Sequence, residues 1–381
     1  MKHMFISPAG GAYGSERSML ALLRARDFDA EVICPGGGAL EEELNKLAVP
    51  VHPLEFGKFA FRKNPLWHYK FYNSVARILK TARPTTVVIN LDGNTALVSL
   101  AAAHLGFPIV RFCRFQFQPP RRLIEQWTWK LPKAIICPSE DVASGVRNWH
   151  TPRGRKQVHC LYDAYDGVRA CAADVAAFRA KLGIGASQVI GYVGRLHPKK
   201  RVEIAIRAFG VVNERFPDLT LLIVGDSDGS PEGAAYKSQL VSLAAELGIA
   251  EQVKFLGYVP QLEMPTIMAT MATCILPSES ESFGMVLVEA WAQGVPTLAS
   301  DVGGCAEITR ASGGGCLAPV GAIESFATSL SNLLARPIYA AQLGSSGADW
   351  VASHCRSSEY VARFSTVITD VQREAKNESV S

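Results

Sequence analysis

The chain has 381 residues but no run of about 18 uncharged apolar ones, so no membrane-crossing helix is expected. It also lacks a strong excess of either charge. Its 39 Lys and Arg against 35 Asp and Glu leave +4, with an isoelectric point near 8.5. That falls well short of the basic footprint of a nucleic-acid binder, and no nucleic-acid partner is expected. The mild excess suits an anionic ligand or an anionic membrane surface. The nine cysteines are scattered singly, with no CxxC pair and no Cys/His cluster at zinc spacing. They read as reduced, mostly buried thiols of a cytoplasmic protein without a metal centre. The phosphate loop GxxxxGK[ST], the dinucleotide fingerprint GxGxxG and the ligand pairs HExxH and HxH are all missing. These absences disfavour P-loop NTPases, dinucleotide oxidoreductases and zinc hydrolases. Residues 1–10 reach a strand-like stretch at once, which leaves no room for a signal peptide.

What is present is alternation. Short apolar, β-branched runs at 4–7, 31–35, 87–90, 108–113, 134–139 and 157–162 form one set, and 189–194, 219–225, 253–259, 273–278 and 296–300 a second. Helical patterns separate them, such as 16–25, 202–216, 236–248 and 323–335. Repeated strand–helix alternation predicts parallel sheets with helices on both faces, an α/β fold. The length is too great for one ordinary core. The pattern breaks at 163–175, which we read as the linker between two doubly wound, Rossmann-like domains of similar size. Residues 357–375 are amphipathic at helical spacing. Doubly wound sheets bind ligands at the carboxyl ends of their strands, so two of them point to an intervening cleft.

Unusual residues gather at those predicted strand ends. After 189–194 come Gly194, Arg195, Leu196, His197 and Pro198, then Lys199, Lys200 and Arg201. A guanidinium fork with ammonium groups nearby suits a diphosphate, although a solvated basic loop has the same composition. After 273–276 comes PSESESFGM, with a helix predicted from about Gly284; its unpaired backbone N–H groups favour anions or hydroxyls. Glu281 lies just before this helix, and Glu289, with seven residues intervening, lies inside an apolar run. A buried, unpartnered carboxylate costs several kcal/mol. Glu289 therefore requires either an internal basic partner or ligand hydroxyls such as a ribose diol. Glycine-rich turns at 10–16 and 303–307 are plain turns or ligand cradles.

Taken in order, Gly194-Arg195-Leu196 with Lys200, Glu281-x7-Glu289 enclosing Phe283-Gly284, and Gly303-Gly304-x-x-Glu307 resemble the family-4 retaining glycosyltransferases of GT-B fold. LTLLIVGD (219–226), VKFLGYV (253–259), YGSERSML (13–20) and CPSE (137–140) extend the resemblance over nearly the whole chain. It implies an acceptor-binding domain at 1–165, a nucleotide-sugar-binding domain at 176–355, and a C-terminal helix at 356–381 crossing back to the first. Arg195 and Lys200 would clamp the donor diphosphate and Glu289 the ribose. Glu281, Ser282 and the backbone of Phe283, Gly284 and Met285, after Gly194 and its loop, would meet the transferred sugar. Tyr258 and Val259 would face the base, and Gly14 the phosphates or the acceptor. No cofactor and no metal are implied beyond the nucleotide-sugar substrate, because Arg195, Lys200 and helix N-termini would absorb the leaving-group charge.

The sequence departs from this family in one place. Relatives carry a histidine after the strand corresponding to 108–113, where this chain reads IVRFCRFQF. Arg111 and Arg114 are therefore the acceptor-side candidates. Residues 57–80 and 111–130 mix aromatics with basic residues, as either ordinary helix surface or a patch for an anionic bilayer or a lipid-diphosphate acceptor. The functional expectation is a retaining, metal-independent, hexosyl-type transferase in polysaccharide or glycolipid assembly. Its rivals are another GT-B enzyme such as a nucleotide-sugar epimerase, and a non-catalytic nucleotide- or glycan-binding protein.

Overall fold

The computed structural model describes residues 2–11, 14–25, 28–57, 64–91, 95–149, 157–227 and 229–380. The chain divides into two compact units, Met1–Ala164 with Ser357–Ser381, and Tyr165–Arg356. Strands β1 (Lys2–Ile6), β2 (Asp29–Cys34), β3 (Val51–Pro53), β4 (Thr86–Ile89), β5 (Ile109–Phe112), β6 (Ala134–Cys137) and β7 (Gln157–Cys160) build the first sheet. They lie in the order β3-β2-β1-β4-β5-β6-β7, and every pairing is parallel.

Alternation of side chains along each strand sends neighbouring residues to opposite faces. Met4, Ile6, Val87 and Ile89 join Phe71, Val75 and Leu79 of helix Pro65–Ala82 and Val98 of helix Ala96–His104 in one core layer. Phe5, Val88, Val110 and Phe112 meet Met19 and Leu20 of helix Gly14–Arg24 on the other face. Phe364, Ile368 and Val371 of the last helix, Ser357–Val380, complete that second layer.

In the second unit, β8 (Gln188–Val193), β9 (Leu219–Val224), β10 (Val253–Gly257), β11 (Thr273–Leu276), β12 (Thr297–Ser300) and β13 (Gly315–Ala318) form a parallel sheet. Its order is β10-β9-β8-β11-β12-β13. Each sheet thus reverses its winding once, between β1 and β4 and between β8 and β11, and these are the topological switch points at which such sheets open a crevice. The predicted basic loop follows β8, and the predicted Glu281 loop follows β11.

Two strands escape the sequence reading, β3 and β13, because three or four residues are too few to display a period. Helix Ala172–Leu182 occupies part of the stretch assigned to the linker; residues 161–171 carry no helix or strand. Its sequence, AADVAAFRAKL, spreads alanines around the helix and so hides the apolar stripe.

Trp291 fixes the helix Met285–Ala292 that carries Glu289. The indole is fully buried, and its Nε1 donates to Thr297 Oγ1 (3.1 Å) and to the Gly314 carbonyl (2.8 Å). Gly347 of helix Pro337–His354 lies so close that any β-carbon there would enter the Trp291 ring.

His3, on β1, is buried with its ring edge-on to Phe28, 5.4 Å between centroids. Burial lowers its pKa to about 4. The unfolded chain takes up this proton near pH 6.5 and the folded chain does not, so stability is lost as pH falls from about 6.5 to about 4. We predict that urea unfolding of the parent loses up to ~3 kcal/mol more than His3→Phe across that interval. Parallel pH profiles for the two proteins would contradict this.

Candidate functional site

The turn after β8 is shaped by Gly194, whose φ of 152° belongs to the region that favours glycine. The buried Tyr192 hydroxyl donates to the Arg195 carbonyl at 2.9 Å and fixes the next residue, leaving the Arg195 side chain exposed. Burial first, then the charge of Glu281, raise the Tyr192 phenol well above its usual range, so it stays a donor. A short 3₁₀ turn, Pro198–Lys200, follows, capped by His197 Nδ1, which accepts from the Lys199 amide at 3.2 Å.

This turn delivers Lys200 to the loop after β11. Lys200 Nζ donates to Glu281 Oε1 at 2.5 Å, and Ser278 Oγ donates to the same oxygen at 2.8 Å. Backbone bonds reinforce the junction: the Glu279 amide donates to the Lys199 carbonyl (2.9 Å), and the Gly304 amide to the Glu281 carbonyl (2.9 Å). The ends of β8, β11 and β12 are thereby tied around one glutamate, through its side chain and its main chain. Lys200 and Glu281 keep 24% and 13% of their side-chain surface exposed, so the pair is reachable from solvent.

Gly284 opens helix Met285–Ala292 in a left-handed conformation (φ 102°, ψ 51°), and a β-carbon there would lie 3.2 Å from Cys305 Cβ. Gly304 packs its backbone against the Ser282 carbonyl, while Phe283 is buried and Ser282 and Met285 are half-buried. Burial, followed by the charge of Glu281, pushes the Cys305 thiol up to about 12. It is therefore protonated at neutral pH and unsuited to act as a nucleophile.

Glu289 is buried, 5% exposed, and its Oε1 accepts from Gln261 Nε2 at 3.3 Å. Gln261 begins the 3₁₀ turn Gln261–Glu263, just past Tyr258 and Val259, so the helix and the loop after β10 meet at this carboxylate. Val259 is half-buried, whereas the Tyr258 ring stands 78% exposed. The two acids thus occupy distinct settings, Glu281 beside a cation and Glu289 beside an amide. Ser278 and Gln261 were not singled out from the sequence. Their signal was proximity to Glu281 and Val259, but direction of a side chain within a loop is not encoded in spacing.

In the first unit, Gly14 begins helix Gly14–Arg24, and among the described residues nothing beyond its chain neighbours and its own helix backbone lies within 4 Å of where a β-carbon would stand; Ala12 and Tyr13 of the same turn lie outside the described residues. Arg111, the first acceptor-side candidate, lies on β5. It projects from a central strand covered on both faces, is 2% exposed, donates to Ser99 Oγ at 2.7 Å and stacks over Trp129 at 5.0 Å. Its guanidinium is part of the core of the first unit. Arg114 is also enclosed, with 3% of its side chain exposed, in an ion pair with Asp163 and with bonds to Asn90 Oδ1 (3.1 Å) and Tyr360 Oη (3.2 Å).

Two family profiles match almost end to end: "Glycosyltransferase Family 4" over residues 10–165 and "Glycosyl transferases group 1" over residues 174–350. The chain belongs to the family-4 type of GT-B glycosyltransferases. Its fold is that of Anabaena HepE in complex with UDP-glucose, with TM-score 0.85 at 21% identity over 97% of this chain and 100% of that one. A Rickettsia africae glycosyltransferase superposes with TM-score 0.84 at 16% identity, covering 97% and 98% of the two chains. Among curated relatives, D-inositol 3-phosphate glycosyltransferase of Nocardia farcinica is 38% identical over 164 residues, 42% of this chain and 36% of that protein. The Mycolicibacterium gilvum protein of the same name is 33% identical over 221 residues, 57% and 48%. The matched segments span between about a third and a half of these relatives' length. Among the described residues of this GT-B chain, no helix is long and apolar enough to cross a membrane.

Left-handed geometry costs a residue with a β-carbon about 1–2 kcal/mol, and the Cys305 contact adds to it. Gly284→Ala is therefore expected to lower unfolding free energy by at least ~1 kcal/mol, whereas Gly14→Ala stays within ~0.5 kcal/mol of the parent. Chemical denaturation of both variants checks the contrast, and equal losses would refute it.

Proposed function

We propose that this protein is a retaining glycosyltransferase that moves a hexose from a nucleoside-diphosphate sugar to a glycan or lipid-linked acceptor, without a metal. The observation that carries the reading is the Lys200–Glu281–Ser278 cluster at the switch point of the second sheet, beside the exposed Arg195 and the Gly284 turn. The names of the curated relatives and the UDP-glucose complex of HepE support it.

In this reading Arg195 grips the diphosphate as a fork, and Lys200, with one of its three N–H bonds on Glu281, offers the others to phosphate oxygens. Glu289, oriented by Gln261, accepts from the ribose diol, and Tyr258 and Val259 face the base. Glu281, Ser282 and the backbone of Phe283, Gly284 and Met285 contact the sugar. Gly14 lies at a ligand-facing turn of the first unit. In transfer, the bond from the anomeric carbon to the phosphate oxygen breaks and its electron pair leaves on the diphosphate. The acceptor oxygen bonds to the same face of that carbon, and its proton passes to a phosphate oxygen of the departing group. Arg195 and Lys200 stabilise the charge that grows there, which is where preorganised electrostatics has most leverage.

A polysaccharide or glycolipid acceptor fits the first unit's surface, where Leu66, Tyr69, Leu123 and Trp127 are each at least 58% exposed and Lys70, Arg121 and Arg122 lie among them in sequence. Apolar side chains mixed with cations favour reversible adsorption to an anionic bilayer at the inner face of the plasma membrane. Residues 58–63 of the basic aromatic stretch lie outside the described residues. A phosphorylated polyol is the second acceptor class, favoured by the names of the curated relatives.

A thermal-shift screen of nucleoside diphosphates and their sugar conjugates tests the donor side, since ligands selective for the folded state raise apparent stability. Stabilisation by UDP or GDP should be largely lost in Arg195→Ala and in Lys200→Ala, and Glu289→Gln should weaken it. Glu281→Gln should reduce turnover more than binding. Unaltered binding in both cation variants would dismiss the clamp. Donor consumption without any acceptor would point to an epimerase, and binding without any turnover to a non-catalytic protein.

For the membrane, we expect co-sedimentation with vesicles rich in phosphatidylglycerol at low salt, falling as salt screens the cations. Recovery of all protein in the supernatant at low salt would dismiss adsorption.

A further inference from the structure

The first sheet holds a chain of buried polar groups that the donor chemistry leaves unused. Arg114 follows β5 and pairs with Asp163, which follows β7; both side chains are under 10% exposed, at 3% and 7%. One nitrogen of the same guanidinium reaches Tyr360 Oη of the C-terminal helix at 3.2 Å and Asn90 Oδ1 at 3.1 Å, and its plane lies over Phe112. Burial opposes the charged form, but Asp163 and Tyr360 outweigh it and hold the guanidinium pKa above its ordinary range. Asn90, fully buried at the end of β4, then donates through Nδ2 to the Ser15 carbonyl at 3.1 Å. Ser15 Oγ donates to Glu16 Oε2 (2.8 Å), and Ser7 Oγ, just past β1, to Glu16 Oε1 (3.2 Å).

The chemistry of the links fixes their direction. Guanidinium is a donor only, so the Asn90 amide must turn its oxygen to Arg114 and its nitrogen to Ser15. The path ends at the first turn of helix Gly14–Arg24, at the β1/β4 switch point. Stability is a poor reason for the arrangement. Buried ion pairs are commonly no more stabilising than apolar residues of similar volume. We propose that Arg114 is a positioning residue: clamped by Asp163 and Tyr360, it orients Asn90 to hold the Gly14–Glu16 turn in the geometry that ligand binding requires. The C-terminal helix thereby takes part in shaping the site through Tyr360. The link to turnover rests on the transferase reading above; the effect on the turn does not.

The test is hydrogen exchange of the full, unliganded chain, followed by mass spectrometry, in Arg114→Lys, Tyr360→Phe and the double variant Arg114→Leu/Asp163→Leu. Arg114→Lys keeps a charge for Asp163 but loses the fork. Tyr360→Phe removes one hydroxyl and guards against a variant that fails to fold. The double variant replaces the ion pair with apolar bulk. Amides of residues 14–18 should exchange at least ~5-fold faster in each, with those of β4 and β5 unchanged, as local opening predicts. With UDP-glucose as donor probe and a thermally stable variant, kcat should fall by at least ~10-fold, since small misplacements are costly to positioned reactants. Unchanged exchange at 14–18 in folded Tyr360→Phe and in the double variant overturns the proposal. Faster exchange with no transfer by the parent from UDP- or GDP-hexoses to any glycan, lipid-linked or phosphorylated-polyol acceptor overturns the transferase reading and leaves the positioning role standing.

Discussion

The short bond from Lys200 to Glu281 joins two loops that the chain synthesises about eighty residues apart. It forms because β8 and β11 lie side by side at the one place where the second sheet changes its winding direction. Parallel strands deliver all their carboxyl ends to one edge, so loops remote in sequence become neighbours there. Around this bond the Ser278 hydroxyl, the Glu279 and Gly304 amides and the close Gly304–Ser282 backbone contact fall into place. A cation and a carboxylate that neutralise one another can be kept partly enclosed at modest cost, and Lys200 keeps about a quarter of its side chain, 24%, exposed.

The first sheet solves the same topological problem with different chemistry. Its switch point, between β1 and β4, is organised by Asn90, Glu16 and serines, backed by the enclosed Arg114–Asp163 pair and by Tyr360. Arg111, one residue before the end of β5, is absorbed into the core by Ser99 and Trp129. Arginines three residues apart thus have separate fates, because one lies within a strand covered on both faces and the other just past its end.

Much of this was legible without coordinates. The α/β class, eleven of the strands, and the position of Glu281 before a helix and of Glu289 within it follow from periodicity and residue chemistry, and the meaning of the ordered motifs from the family resemblance. β3 and β13 were not, since so few residues carry no period, and helix Ala172–Leu182 was masked by its alanines. Among polar partners, Gln261 and Ser278 were invisible because loop side chains have no fixed period to reveal their direction.

The sequence alone determined which residue types stand at which strand ends, and hence that a basic loop, a glutamate loop and glycine turns would border the second sheet. Only the tertiary structure decided their pairing. It gave Glu281 to Lys200 and Ser278, Glu289 to Gln261, Arg111 to the core, and Arg114 to Asp163, Asn90 and Tyr360. The reason is physical. Local propensity and alternation act over a few residues, whereas the choice of partner for a charge depends on sheet order and on which groups are desolvated together.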